Sequence, residues 1–174
     1  LYGLNFGLID LLYNKTITLL QIDTNDPFNV CKIDGNEFKE NPSILEDNIN
    51  TFSMFSENKF ILLDLSHTSS NLNLDNIILE TVTKENDNYL LIIKAGNISS
   101  QNKLIKYFEK SSNCILTPCY EENVSKIKND INSIFMRHKI SFSNNFISHL
   151  STAFNADSLT NGMELEKLDS FLIN

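Results

Sequence analysis

The chain has 174 residues, 41% of them hydrophobic and 21% charged, enough for one full hydrophobic core and a small second unit. No uninterrupted apolar run approaches the roughly 20 residues that cross a bilayer, which excludes a transmembrane helix. Lys and Arg number 14 against 22 Asp and Glu, and the resulting formal charge of -8 repels phosphate and disfavours unaided nucleic-acid binding.

In chain order, Leu1-Tyr2 reads as the stub of a strand that leads straight into a turn, and with no Met at the front further residues are expected ahead of it. A helix over Phe6 to Tyr13 follows, then an apolar run from Ile17 to Ile22 that predicts a buried strand. Ser43 to Phe52 has helical spacing, with Leu45, Ile49 and Phe52 on one face and Ser43-x-x-Glu46 as a capping box. Phe60 to Leu65 and Tyr89 to Ala95 predict two more buried strands, and Cys114 to Pro118 another. Between these strands, Leu74, Ile77, Ile78 and Val82 mark one helix and Leu104, Ile105 and Phe108 the next. Runs of Leu and Ile without polar alternation suit a sheet covered on both faces. Strands alternating with helices imply parallel connections and an α/β core.

After Pro118 the texture changes. Three helical patterns follow without a strand: Val124, Ile127, Ile131, Ile134 and Phe135; then Phe146, Ile147 and Leu150 behind a Ser143 cap; then Leu165, Leu168 and Leu172. A boundary near Cys119 therefore divides an α/β domain, 1–118, from a small helical domain, 119–174.

A parallel α/β domain raises the question of a nucleotide, and the turn after the first strand is the place to look. A phosphate loop needs glycines for converging N–H groups, a Lys for the phosphates and a Ser or Thr for magnesium. Gly3 and Gly7 are present, but Leu8 and Ile9 stand where the Lys and the hydroxyl belong, so the turn cannot hold a triphosphate. Asp64 lies at a strand end with no second carboxylate in a recognisable spacing, and reads as a carboxylate bonded to nearby backbone. His67 reads as a solvated loop residue, and His138 and His149 carry no ligand spacing. Cys31, Cys114 and Cys119 are odd in number and lack Cys-x-x-Cys spacing, which suits reduced thiols in a cytoplasmic protein. No serine elbow, zinc motif or dinucleotide fingerprint occurs. Neither catalysis nor a cofactor nor a metal is expected.

One stretch stands apart. Phe52-Ser53-Met54-Phe55-Ser56 places large apolar side chains just before a strand that is already complete. Met54 and Phe55 either pack under the sheet or plug a partner's pocket, where burying each would contribute roughly 1.5 to 3 kcal/mol.

Several of these stretches together resemble the delta subunit of the bacterial DNA polymerase III clamp loader. They are Leu1-Tyr2-Gly3 with Gly7-Leu8, Asn41-Pro42-Ser43-Ile44-Leu45, Ser53-Met54-Phe55, Ala95-Gly96, Lys103-Leu104 with Phe108-Glu109-Lys110, Cys114 to Tyr120, and Glu164-Leu165-Glu166-Lys167-Leu168. They run in order across nearly the whole chain. The resemblance implies a RecA-like, AAA+-type parallel sheet flanked by helices, without a nucleotide site, followed by a three-helix lid-like domain. It implies a fragment that lacks the family's third, collar domain, through which the other loader subunits assemble, and that is monomeric by itself.

The resemblance also implies a role. A delta subunit has no activity of its own within the DNA-directed DNA polymerase holoenzyme, a nucleotidyltransferase. It binds the sliding clamp, the beta subunit, and opens it for placement on primed DNA, touching DNA only in the assembled complex. The family's contact is a Ser-Leu-Phe motif whose Leu and Phe enter a pocket on the clamp; here it reads Ser53-Met54-Phe55. Met matches Leu in volume and is unbranched, a swap that usually costs less than ~1.5 kcal/mol. Two other classes compete: an AAA+ ATPase, which requires the Gly3 to Ile9 turn to hold a nucleotide, and a DNA-binding module, which requires salt-steep duplex affinity.

Overall fold

A computed structural model describes residues 1–51, 59–68, 71–84, 88–121, 123–154 and 158–173. Asn5 caps the first helix, α1 (Phe6–Leu19), its side chain accepting from the Leu8 N–H at 3.0 Å. Strand β1 (Val30–Asp34) runs directly into α2 (Gly35–Glu40), and α3 (Ser43–Asn50) follows. Then come β2 (Lys59–Leu65), α4 (Leu72–Val82), β3 (Tyr89–Ala95) and α5 (Lys103–Lys110). Three further helices, α6 (Val124–Arg137), α7 (Asn144–Ser151) and α8 (Ser158–Ile173), complete the described chain.

The three strands form a parallel sheet in the order β1-β2-β3, with Ile61 between Cys31 and Leu91. Tyr2 extends it by one parallel bridge to Ala95 and a second to Pro118, so the start of the chain lies between β3 and the 117–119 segment. Along β2, side chains alternate between two buried faces. Phe60 and Leu62 meet Tyr13 and Ile17 of α1, while Ile61 and Leu63 meet Leu45, Ile49, Leu74, Ile78 and Leu104 of α3, α4 and α5. The α/β expectation holds because helices cover both faces of a parallel sheet. The last three helices bury a separate cluster built on Ile127, Ile131, Phe135 and Ile147, and Ser143 caps α7 as its sequence predicts.

Four elements differ from expectation. Ile17 to Ile22 is no strand; α1 continues through Leu19 and ends in a Schellman motif. Gln21 takes a left-handed φ of 53°, the Gln21 N–H donates to the Thr18 carbonyl, and the Ile22 N–H donates to that of Ile17. An apolar run of six residues fits a strand and a helix end equally well. Strand β1 escapes the apolar-run criterion because it is an edge strand whose middle residue, Lys32, faces water while Ile33 is buried. Cys114 to Pro118 contributes one bridge, at Pro118, and leaves Ile115 exposed. The capping box of α3 does not form, because Pro42 occupies the cap. The Ser43 hydroxyl bonds the Asn41 side chain at 2.8 Å, and Glu46 pairs with Lys84. The placement of Phe52 falls outside the described residues.

Candidate functional site

The turn after Tyr2 is shaped by backbone proximity. Gly3 has a φ of 143°, and a Cβ there would collide with the Cys119 carbonyl. That permits only glycine without strain. The next polar residue, Asn5, is 1% exposed and uses the whole hydrogen-bonding capacity of its amide. Its Oδ1 accepts from the N–H of Leu8 at 3.0 Å and of Ser158 at 3.2 Å. Its Nδ2 donates to the Tyr120 carbonyl at 3.1 Å and to the Ser158 hydroxyl at 2.6 Å. The Leu8 N–H, one of the helix-start donors a phosphate would use, is thus already taken by Asn5, and Ile9, in the place of the hydroxyl ligand, is buried.

Asp64 behaves as its position predicts, accepting from the Ser66 N–H at 3.0 Å. Beside it, Lys94 is 7% exposed on β3. Its ammonium lies 2.5 Å from Asp10, 3.9 Å from Asp64 and 4.2 Å from the Tyr13 ring centre, so its charge is compensated on three sides. His67 is exposed and packs its ring against Phe6. His138, at the end of α6, is hydrogen-bonded to Asp169 of α8 at 2.6 Å, and Arg137 pairs with the same carboxylate. The His138 bond first and Arg137 second hold the Asp169 carboxyl below the usual carboxylate range. Burial pushes the Cys31 and Cys119 thiols up, away from nucleophilic use. Among the described residues no group of three His, Cys, Asp or Glu side chains is placed to hold a metal ion, and no helix is long and apolar enough to cross a membrane. A cavity of about 70 Å³ lined by Leu74, Asp75, Leu104 and Ile105 is far smaller than the roughly 300 Å³ a small-molecule site needs.

Ser53, Met54 and Phe55 lie outside the described residues, between α3 and β2. On the near side, α3 buries Leu45 and Ile49, and Thr51 closes the helix by donating its N–H and its hydroxyl to the Asp47 carbonyl. On the far side, Lys59 opens β2 with its N–H donating to the Asn88 carbonyl, and Lys59 Nζ reaches back to Asn48 of α3 at 2.9 Å. The chain therefore leaves α3 and rejoins the sheet at the edge where the parallel strands begin. Tyr2, Gly3 and Asn5 lie at the opposite edge, beyond Ala95 at the end of β3.

Sequence reasoning missed Asn5, Lys59 and Lys94. A signal existed for two of them: Asn just before a helical run marks a cap, and a Lys inside an apolar strand demands a partner. Ser158 carried no signal.

The family model described as DNA polymerase III, delta subunit, matches residues 1–117 of the chain. No curated protein matches it in sequence. Among solved structures, the chain is similar to the Bacillus subtilis DNA clamp loader delta protein, with a TM-score of 0.56 and 15% identity. That match covers 98% of this chain and 52% of the other, so the chain spans about half the length of its solved relative.

Proposed function

This chain belongs to the DNA polymerase III delta subunit family, and on that premise we propose that it grips the sliding clamp through Ser53, Met54 and Phe55 and holds it open for loading onto primed DNA. The observation that carries this reading is the framing of Met54 and Phe55. Two large apolar residues stand between a helix end and a strand start, and the Lys59–Asn48 bond ties those two ends together. A firmly held frame lowers the entropy lost when a segment between its ends docks, which favours a tight contact from few side chains.

Opening a ring requires tighter binding to the open form than to the closed one, because equal affinity shifts nothing. A subunit without a nucleotide site supplies that difference by contact alone and leaves ATP switching to its neighbours. In this reading the protein is cytoplasmic, is a non-catalytic part of the DNA-directed DNA polymerase holoenzyme, and meets the other loader subunits through a collar and DNA only within the assembly. Residues 1–118 act as the RecA-like clamp-binding domain and 119–174 as its lid-like companion. The ATPase alternative is disfavoured by the missing phosphate-loop Lys and by the Asn5 side chain, which already takes the Leu8 N–H at the start of α1. Submillimolar equilibrium binding of a labelled ATP analogue would restore it.

Substituting both Met54→Ala and Phe55→Ala is expected to weaken clamp binding by at least ~100-fold, about 2.7 kcal/mol, with folding intact. Titration of the clamp with the double variant checks this; unchanged affinity removes the assignment.

A further inference from the structure

Asn5 caps two helices at once. By sequence it is the N-cap of α1, and its Oδ1 accepts the Leu8 N–H there. The same oxygen accepts the N–H of Ser158, the first residue of α8, 153 positions away in the chain. Helix N-termini leave their first N–H groups without intrahelical partners, so a side chain that satisfies both ends joins the helices by groups each needs paired. The amide nitrogen completes the joint by donating to the Ser158 hydroxyl and to the Tyr120 carbonyl, on the segment that leads into α6. That segment is itself stitched down. The Asn5 N–H donates to the Cys119 carbonyl at 3.1 Å, and the Cys119 N–H to the Tyr2 carbonyl at 2.6 Å.

We propose that Asn5 and Ser158 form a latch that fixes the helical unit α6–α8 against the α/β unit without any ligand between them. Units with separate cores move relative to one another unless something holds the seam. The two cores share no residue, and α1 and α8 meet directly beside Asn5. A buried amide with all four bonds made permits one relative placement, because any rotation of α8 leaves polar atoms unpaired away from water. Loss of the Ser158 hydroxyl bond leaves Asn5 Nδ2 one acceptor short, which loosens α8 and leaves the sheet as it is. The inference concerns the chain alone and does not depend on the clamp reading.

Ser158→Ala removes the hydroxyl that accepts from Asn5 Nδ2, and leaves in place the Asn5 cap on α1 and the bond from the residue-158 N–H to Asn5 Oδ1. Hydrogen exchange on the whole chain is expected to speed up about 5-fold over residues 158–166, with the β2 and β3 amides unchanged. Ser158→Thr keeps a hydroxyl and is expected to restore slow exchange. Wild-type exchange rates across α8 in Ser158→Ala, an equal rise in β2 and β3, or failure of the Thr variant to restore protection would each overturn the latch.

Discussion

At the scale of single residues, the turn between Tyr2 and α1 concentrates most of the constraints. Gly3 is held by its neighbours: its N–H is shared between the Ala95 and Gly96 carbonyls, at 3.2 and 3.1 Å, while the Cys119 carbonyl occupies the space a side chain would need. Backbone is the obstacle, so no rotamer change relieves the collision. Gly3→Ala adds that collision to an unfavourable positive φ, and is expected to destabilise the protein by about 2 kcal/mol or more. A denaturant midpoint that falls with an unchanged slope would agree with this; an unfolding free energy within ~0.5 kcal/mol of wild type would show that the 119 segment can give way. Tyr2 belongs to the same knot. Its phenol is pushed up to about 12, chiefly by its hydrogen bond with the Tyr120 hydroxyl, so it remains neutral at any physiological pH.

At the scale of elements, the ends of helices decide more than their middles. α1 and α6 both stop in Schellman motifs, at Gln21 and Lys139, and both put a residue with a Cβ into the left-handed region, with φ of 53° and 58°. Glycine at such a position avoids a steric cost of roughly 1 to 2 kcal/mol but restores freedom to the unfolded chain. Gln21→Gly is therefore expected to stabilise by a net ~0.5 to 1 kcal/mol, read as a rise in Tm. A fall in Tm would mean that the Gln21 side chain contributes a contact worth more than the strain. The same elements show what a sequence can and cannot carry. β2 was legible almost to the residue because a central strand covered on both faces must be continuously apolar, as Phe60 to Leu63 are, and β3 because Tyr89 to Ile93 form a continuous apolar run beside it. β1 was not, because an edge strand needs only Cys31 and Ile33 turned inward. Ile17 to Ile22 misled because its hydrophobicity serves the cap contact of a helix end. Of the proposed contact, Met54 and Phe55 stood out in the sequence as large apolar residues ahead of a complete strand, and only the family resemblance gave them a partner, since no periodicity distinguishes an anchor from a core residue. The Asn5–Ser158 joint was half legible: Asn5 announces a cap, whereas its second helix begins 153 residues later.

At the scale of the whole molecule, two cores of different character are joined at one seam, and acid should act on them unequally. The α/β core is closed by apolar contacts across both faces of the sheet, whereas α8 has a single described residue fully buried and leans on α6 partly through charge. That charge is Asp169, bonded to His138 and paired with Arg137. Its carboxyl titrates lower in the folded protein than in the unfolded chain, where an Asp titrates near ~3.9. Between those two values the unfolded chain binds the extra proton and the folded one does not. The contribution of Asp169 is therefore complete above the unfolded value and drains away as pH falls through the folded one. Asp169→Asn mimics the protonated carboxyl at every pH. The Tm gap between wild type and Asp169→Asn is expected to be full at pH 7 and to narrow steadily below about pH 4, with hydrogen-exchange protection in α8 lost before that in β2 and β3. A gap of equal size at pH 7 and pH 3 would mean that Asp169 holds α8 through packing. Loss of the strands together with α8 would mean that the seam at Asn5 couples the two cores into one cooperative unit.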